Sequence, residues 1–146
     1  MTGSAEARVG ERAPDFVLED ASGELVSLKD FHGKPLVLHF WARWCPYCEK
    51  LQPGLQALAD ARAGQGLVLL GISFREDERV APQAVLASRG LRFKTLVDGD
   101  EVADMYGVRG TPTTVFIARD GRVVGMTHSS DPADAVLTRL ADKIAQ

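Results

Sequence analysis

A strand–helix–strand pattern in the first half of the chain constrains the fold more than any other feature of the sequence. Residues 36–41 are apolar apart from His39 and do not alternate, which is typical of a strand covered on both faces. From Cys45 onward, apolar residues recur every three or four positions and predict an amphipathic helix. Residues 67–73 then read as a second buried strand. This order indicates a βαβ unit with two parallel strands.

The other segments complete an α/β order around this unit. Each is a short apolar or β-branched run, or a helical period, bounded by glycine, proline or charged residues. They predict a β-hairpin at 15–18 and 25–28, a helix from Pro82, a strand at 93–97, a helical turn at 101–106, strands at 113–118 and 122–126, and a C-terminal helix.

Turn and capping signals orient the second half. Asp120-Gly121 is a strong hairpin signal, so the strands on either side of it should pair antiparallel. Asp131 is a good N-cap and Pro132 suits a first helical position, which predicts that the C-terminal helix begins there. Together these signals predict one mixed sheet with helices on both faces.

The only two cysteines of the chain, Cys45 and Cys48, lie where the first buried strand meets the first helix. A Cys-x-x-Cys at such a junction is typical of a redox dithiol. The helix N-terminus favours the thiolate, which is the form that attacks a disulfide. Cys45 would therefore be the nucleophile. Cys48, one turn further along, would be the more buried thiol that resolves the mixed disulfide.

Composition excludes several other functions. The 17 basic and 20 acidic residues form no block of like charge, so nucleic acid and anionic membranes are not expected partners. A zinc site is not expected, because zinc needs four ligands and His32, His39 and His128 are scattered. We expect no metal and no cofactor, since a dithiol itself carries two electrons. A pair of inert buried cysteines stays as the structural alternative.

The sequence resembles the thioredoxin superfamily. The resemblance rests on the order of elements, on residues 40–48 (Phe-Trp-Ala-Arg-Trp-Cys-Pro-Tyr-Cys) and on residues 110–114 (Gly-Thr-Pro-Thr-Thr). It implies a thioredoxin fold in which Pro112 follows a cis peptide bond and faces the dithiol. It also implies that Thr111 offers backbone groups to an extended substrate segment. The further residues that would tune and frame the site are Trp44, Pro46 and Tyr47.

Within that superfamily the chain is similar to the TlpA-like group of membrane-anchored or periplasmic thiol–disulfide oxidoreductases. The similarity is carried by the leading hairpin, by a helix–strand insertion at about residues 80–97, and by the approach to Pro112 from residue 97. It covers nearly all of the chain after residue 9. We therefore expect a flexible leader at 1–9 and a single thioredoxin-like domain at 10–146.

Two positions depart from the pattern of the family. Thioredoxin has a buried acid six residues before its first cysteine, and His39 stands there in this chain. His39 could accept protons near neutral pH, or it could be a core histidine bonded to backbone. Several members that serve cytochrome c maturation carry a glutamate three residues after the second cysteine. Leu51 stands there instead, which weakens that specific assignment.

The sequence thus predicts a monomeric, soluble protein-disulfide reductase with protein substrates and an upstream redox partner. We expect a periplasmic or other extracytoplasmic location, with a signal or anchor that is absent from these residues, and a cytoplasmic location stays open. One alternative is a peroxiredoxin-like peroxidase, because residues 13–16 also resemble that family, although Arg43 and Trp44 replace the expected threonine before the cysteine. The other is a non-catalytic binding module with a thioredoxin fold.

Overall fold

The computed structural model describes residues 7–146, and its elements follow the predicted order closely. The two buried strands, the hairpin and the helix–strand insertion all form. The elements are β1 (Val17–Glu19), β2 (Leu25–Ser27), a 3₁₀ turn (Leu28–Phe31), β3 (Leu36–Trp41), α1 (Pro46–Ala61), a second 3₁₀ turn (Ala63–Gln65), β4 (Val68–Ser73), α2 (Pro82–Ser88), β5 (Lys94–Leu96), α3 (Asp100–Met105), β6 (Thr113–Ile117), β7 (Val123–Thr127) and α4 (Ala135–Ile144).

The main sheet has five strands in the order β5-β4-β3-β6-β7. β3 and β4 are parallel, as the βαβ pattern predicts, and β4 pairs with β5 in the same sense. β3 pairs antiparallel with β6, and β6 pairs antiparallel with β7. β3 is therefore the central strand, and all six of its residues are buried. The result is the mixed sheet of a thioredoxin fold.

Two apolar clusters cover the two faces of this sheet. Leu38 and Phe40 of β3 point into the first cluster, which contains residues of α3 and the hairpin. Val37 and Trp41 point to the opposite face, where the second cluster contains residues of α1, α2 and α4. This alternation along one strand explains the continuous apolar run in the sequence, because each face of β3 meets its own layer. The second cluster contains both cysteines.

The N-terminal hairpin forms a separate two-stranded sheet. It is tied to the main sheet by the backbone N–H of Val97, which donates to the carbonyl of Glu19, and by the salt bridge between Lys94 and Asp20. Residues 1–6 of the predicted leader lie outside the described residues. Ala7, the first described residue, is buried in the first cluster.

The start of the C-terminal helix was predicted wrongly. α4 begins at Ala135, and its N-cap is Asp134, whose side chain accepts a hydrogen bond from the backbone N–H of Val136. Asp131 instead closes a turn by accepting from the N–H of Ala133. Both aspartates satisfy the local rule for a cap. The local rule does not separate them, and the segment at Pro132 packs closely on α1 at Gly54.

Candidate active site

The dithiol lies just beyond the C-terminal end of the central strand. β3 ends at Trp41, and four residues later Cys45 caps α1. The Sγ of Cys45 accepts a hydrogen bond from the backbone N–H of Cys48, at 3.2 Å. Pro46 fills the first helical position, where a missing N–H costs nothing. The sequence therefore places a sulfur in the cap position, where the unpaired N–H groups of the helix point.

The two thiols are close, unbridged and unequal in environment. Their Sγ atoms are 2.7 Å apart, and both cysteines are free. Cys48 is fully buried, and Cys45 is 3% exposed. Burial and the hydrogen bond with Cys45 raise the pKa of Cys48 well above its usual value. The Cys45 sulfur thus accepts from both the backbone N–H and the thiol of Cys48.

The segment before β6 lies against the dithiol. The Thr111–Pro112 peptide bond is cis, Thr111 is half-buried and Pro112 is buried. The Thr111 side chain hydrogen-bonds with Cys48 and acts to lower its pKa, as does the backbone of Ala42, although burial outweighs both. The structure thus brings residues separated by more than sixty positions in the sequence into one site.

Two exposed aromatic side chains flank the cysteines. Trp44 is 52% exposed and Tyr47 is 61% exposed, and both rank among the large apolar side chains that reach the surface. The Trp44 indole N–H donates to the carbonyl of Arg75 at 3.0 Å. The backbone N–H of Arg43 donates to the carboxylate of Glu76. The loop after β4 therefore holds the segment that leads into Cys45.

His39 lies in the core beneath this site. It is fully buried, and burial lowers its pKa to about 3 because the charged imidazole would lose its hydration. Its Nε2 is 3.2 Å from Nε2 of Gln52. Among the described residues, its Nδ1 has no hydrogen-bond partner, and neither has Oγ1 of Thr114, which pairs with His39 across β3 and β6.

Arg89 connects this buried contact to the active-site loop. Its Nη1 donates to Oε1 of Gln52 at 2.8 Å, and its Nη2 donates to the carbonyl of Arg43 at 3.3 Å. Its guanidinium also lies 5.7 Å from the centre of the Trp41 ring and 3.5 Å from a carboxylate oxygen of Glu49. Only 15% of the Arg89 side chain is exposed. A cation at the end of α2 thus holds the loop and the layer beneath it together.

Sequence reasoning did not identify several of these residues. Gln52, Arg89, Arg75 and Glu76 reach the site from α1, from the end of α2 and from the loop after β4. Their spacing in the sequence carries no local signal. The one available hint was that Gln52 falls on the buried face of α1, where a polar residue needs a partner.

The described part of the chain offers no site for a metal. Within residues 7–146, no group of three or more histidine, cysteine, aspartate or glutamate side chains is placed to hold an ion. The same residues contain no helix that is long and apolar enough to span a membrane. What the site does present is a pair of thiols, a cis-proline segment and an aromatic rim.

The fold and the paired cysteines define the class, which is the thiol–disulfide oxidoreductases with a thioredoxin fold. The chain belongs to the AhpC/TSA family, whose model matches residues 9–126. It is 38% identical over 128 residues to the thiol-disulfide oxidoreductase ResA of Halalkalibacterium halodurans, covering 84% of this chain and 72% of that protein.

Solved structures agree with this assignment. A DsbE-type thiol:disulfide interchange protein from Chlorobium tepidum superposes with a TM-score of 0.87 at 26% identity, covering 97% of this chain and 100% of that one. A secreted disulfide oxidoreductase of Mycobacterium tuberculosis, homologous to E. coli DsbE, gives a TM-score of 0.72 at 30% identity, covering 88% and 95%. The predicted thioredoxin fold, the resemblance to the TlpA-like group and the oxidoreductase activity are confirmed.

Proposed function

We propose that this protein reduces disulfide bonds of proteins outside the cytoplasm, with Cys45 as the nucleophile and Cys48 as the resolving thiol. Thr111 and Pro112 receive an extended segment of the substrate, and Trp44, Pro46 and Tyr47 frame the sulfur that reacts. The observation that carries the proposal is the asymmetry of the thiol pair. Cys45 caps the helix and accepts hydrogen bonds from both the N–H and the thiol of Cys48.

The reaction follows from that asymmetry. The Cys45 thiolate attacks one sulfur of the substrate disulfide, which forms a mixed disulfide and releases the other substrate sulfur as a thiolate that takes a proton. Cys48 then loses its proton and attacks Cys45 Sγ. This step forms the Cys45–Cys48 disulfide and releases the second substrate thiol. Two electrons have passed to the substrate, and an upstream dithiol must return the protein to its reduced form.

The environment of Cys48 suits the second step. Its raised pKa keeps it protonated while Cys45 reacts, so the two thiols do not compete for the substrate. Besides burial, the hydrogen bond and the charge of Cys45 raise the pKa of Cys48, and both are removed when Cys45 is bound to the substrate. The small distance between the sulfurs makes attack on Cys45 an intramolecular step.

The proposed location and partner rest on the relatives. The similar protein of Mycobacterium tuberculosis is described as secreted, and the relatives named ResA and DsbE are thiol–disulfide oxidoreductases or interchange proteins. We place the present protein in the periplasm or an equivalent extracytoplasmic space, as a monomer released from, or tethered by, a longer precursor. Its partners are protein disulfides and a donor of reducing equivalents.

Insulin reduction with dithiothreitol as the electron donor tests the proposal. The wild-type protein should accelerate precipitation of the insulin B chain, and Cys45→Ser should abolish the acceleration. Trp44→Ala and Tyr47→Ala should raise KM. Val17→Ala, which shortens an exposed side chain on the N-terminal hairpin, is the matched control and should change nothing. Undiminished activity of Cys45→Ser would contradict the mechanism.

A second measurement, of the reduction potential, tests whether the protein reduces or oxidises its substrates. Equilibration with glutathione buffers gives the reduction potential of the Cys45–Cys48 pair. A value towards about −270 mV supports a reductase, and one towards about −120 mV supports an oxidase. Consumption of hydrogen peroxide in preference to insulin would instead favour the peroxidase alternative. A wild-type protein with neither activity would favour a non-catalytic binding module.

A further inference from the structure

His128 directly follows β7 and contacts Thr113, the residue after the Gly110–Pro112 segment that is proposed to bind the substrate. Thr113, the first residue of β6, directly follows Pro112 and is fully buried. Thr114 pairs with Thr127 between β6 and β7, so His128 lies opposite Thr113 one position beyond the last pair. Its ring Nδ1 is 3.1 Å from Oγ1 of Thr113. The contact is therefore built by the register of the two strands.

The hydrogen bonds of Thr113 determine which atom donates. The Thr113 hydroxyl donates its single hydrogen to the carbonyl oxygen of Gly110, at 2.7 Å. Its oxygen can then only accept from His128, so Nδ1 of His128 carries a hydrogen. This holds for the neutral ring with its hydrogen on Nδ1 and for the charged imidazolium alike. His128, Thr113 and Gly110 form one continuous chain of hydrogen bonds that spans the Gly110–Pro112 segment.

We propose that His128 is a positioning residue for disulfide exchange, which acts through Thr113 to hold the Gly110–Pro112 segment in the conformation that receives the substrate. This inference rests on the proposed function, in which that segment binds the substrate. Without the N–H of His128, the oxygen of the Thr113 hydroxyl accepts no hydrogen bond from this side chain. The hydroxyl is then free to rotate, and its hydrogen bond to the carbonyl of Gly110 is held less firmly. The backbone of Thr111 then meets the substrate in a wider range of conformations.

The role is not that of a core residue. His128 is exposed, so its ring contributes little apolar burial to the stability of the sheet. What it provides is one N–H at a defined place. The Nδ2 of an asparagine is bonded to Cγ, as the Nδ1 of histidine is, so it can present an N–H at a similar place, whereas alanine has no such group. The chain also offers a matched control in His32, an exposed histidine that precedes β3 at the opposite end of the sheet.

Steady-state kinetics of insulin reduction by the full chain test the proposal. His128→Ala should raise KM about fivefold, the effect of one net hydrogen bond, with kcat and the rate of Cys45 alkylation by iodoacetamide unchanged. His128→Asn should restore KM towards the wild-type value, and His32→Ala should leave it unchanged. An unchanged KM in His128→Ala, or an Asn variant as impaired as the Ala variant, would overturn the proposal.

A double-mutant cycle with Thr113→Val separates action through Thr113 from direct contact with the substrate. If His128 acts through Thr113, adding His128→Ala to Thr113→Val should raise KM no further. An additive increase would overturn the proposed route. If Thr113→Val does not fold, the KM values of the Ala and Asn variants of His128 still test whether the N–H of His128 is required. A wild-type protein that fails to reduce insulin would instead refute the proposed function, so the two failures are distinguishable.

Discussion

The side-chain amide of Gln52 lies 3.2 Å from Nε2 of His39, in a buried contact one helical turn along α1 from Cys48. Arg89 donates to Oε1 of Gln52, which turns the nitrogen of the amide towards His39. Because an amide nitrogen only donates, Nε2 of His39 accepts, and the hydrogen of the neutral ring lies on Nδ1. The lone pair that would take a proton is therefore already in use.

We predict that His39 stays neutral at about pH 7, with its hydrogen on Nδ1. Burial lowers the pKa of His39 to about 3, and the Gln52 amide opposes protonation at Nε2. Nitrogen-15 NMR of the imidazole reports both the charge and the tautomer. A charged ring at neutral pH, or a hydrogen on Nε2, would show that His39 is free to accept protons.

The variant Gln52→Glu should favour the charged form of His39. A carboxylate at this place accepts from Nε2–H and favours the charged ring, so the pKa of His39 should rise. Gln56→Glu is the matched control one turn along the helix, where Oε1 accepts from the backbone N–H groups of Arg92 and Phe93. If the Gln52 variant leaves the titration of His39 unchanged, the contact does not control the ring.

The contact between α1 and the loop before α4 predicts a site where alanine is not tolerated. A Cβ at Gly54 would lie 2.6 Å from the carbonyl oxygen of Pro132, which is a backbone atom. Gly54→Ala should therefore lower the free energy of unfolding by about 2 kcal/mol, despite the better helix propensity of alanine. Urea denaturation measures this change. Gly64→Ala is the control, because a Cβ added at Gly64 would have no atom of another segment within 4 Å. An equal loss of unfolding free energy in both variants would contradict the explanation.

The hydrogen bonds of the Asp20 carboxylate lead us to expect that the folded protein loses stability in acid. It accepts hydrogen bonds from Ser22 and Glu24 in the hairpin and from Lys94 of β5. The Ser22 hydroxyl first, and then Lys94, hold the pKa of Asp20 well below its usual value. The stabilisation is therefore present above the unfolded pKa of about 4 and is lost as pH falls below it.

Asp20→Asn is the variant that measures this contribution. It should be less stable than wild type at neutral pH, and the difference should shrink as the pH falls below about 4. Urea denaturation across that range gives the comparison. A difference between the two proteins that does not change with pH would show that the charge of Asp20 is not what stabilises the hairpin.

Much of the fold was predictable because its signals are local. The run at residues 36–41 matches β3 residue for residue, since a strand buried on both faces leaves a continuous apolar segment. Asp120-Gly121 predicted the β6–β7 pair correctly. The start of α4 was missed because two aspartates three residues apart both satisfy the capping rule. The packing of Pro132 on Gly54, which no local pattern records, accompanies the choice of Asp134.

The site was predictable where it carries a motif and not elsewhere. Cys45, Cys48 and the Thr111–Pro112 pair stand in recognisable sequence contexts. Gln52, Arg89 and His128 do not, because each becomes part of the site only through a contact made by the tertiary fold. His39 was visible as a departure from the family pattern. The sequence did not reveal its environment. The Gln52 amide contacts Nε2 of His39, and Nδ1 has no hydrogen-bond partner among the described residues.

The central claim is that Cys45 attacks and Cys48 resolves, and trapping of the mixed disulfide tests it most directly. Intact-mass spectrometry after incubation with a protein disulfide should show a stable covalent adduct of Cys48→Ser, linked through Cys45. Cys45→Ser should form none, because the remaining thiol is fully buried and keeps its proton. An adduct on Cys45→Ser that forms as fast as the adduct on Cys48→Ser would contradict the assignment.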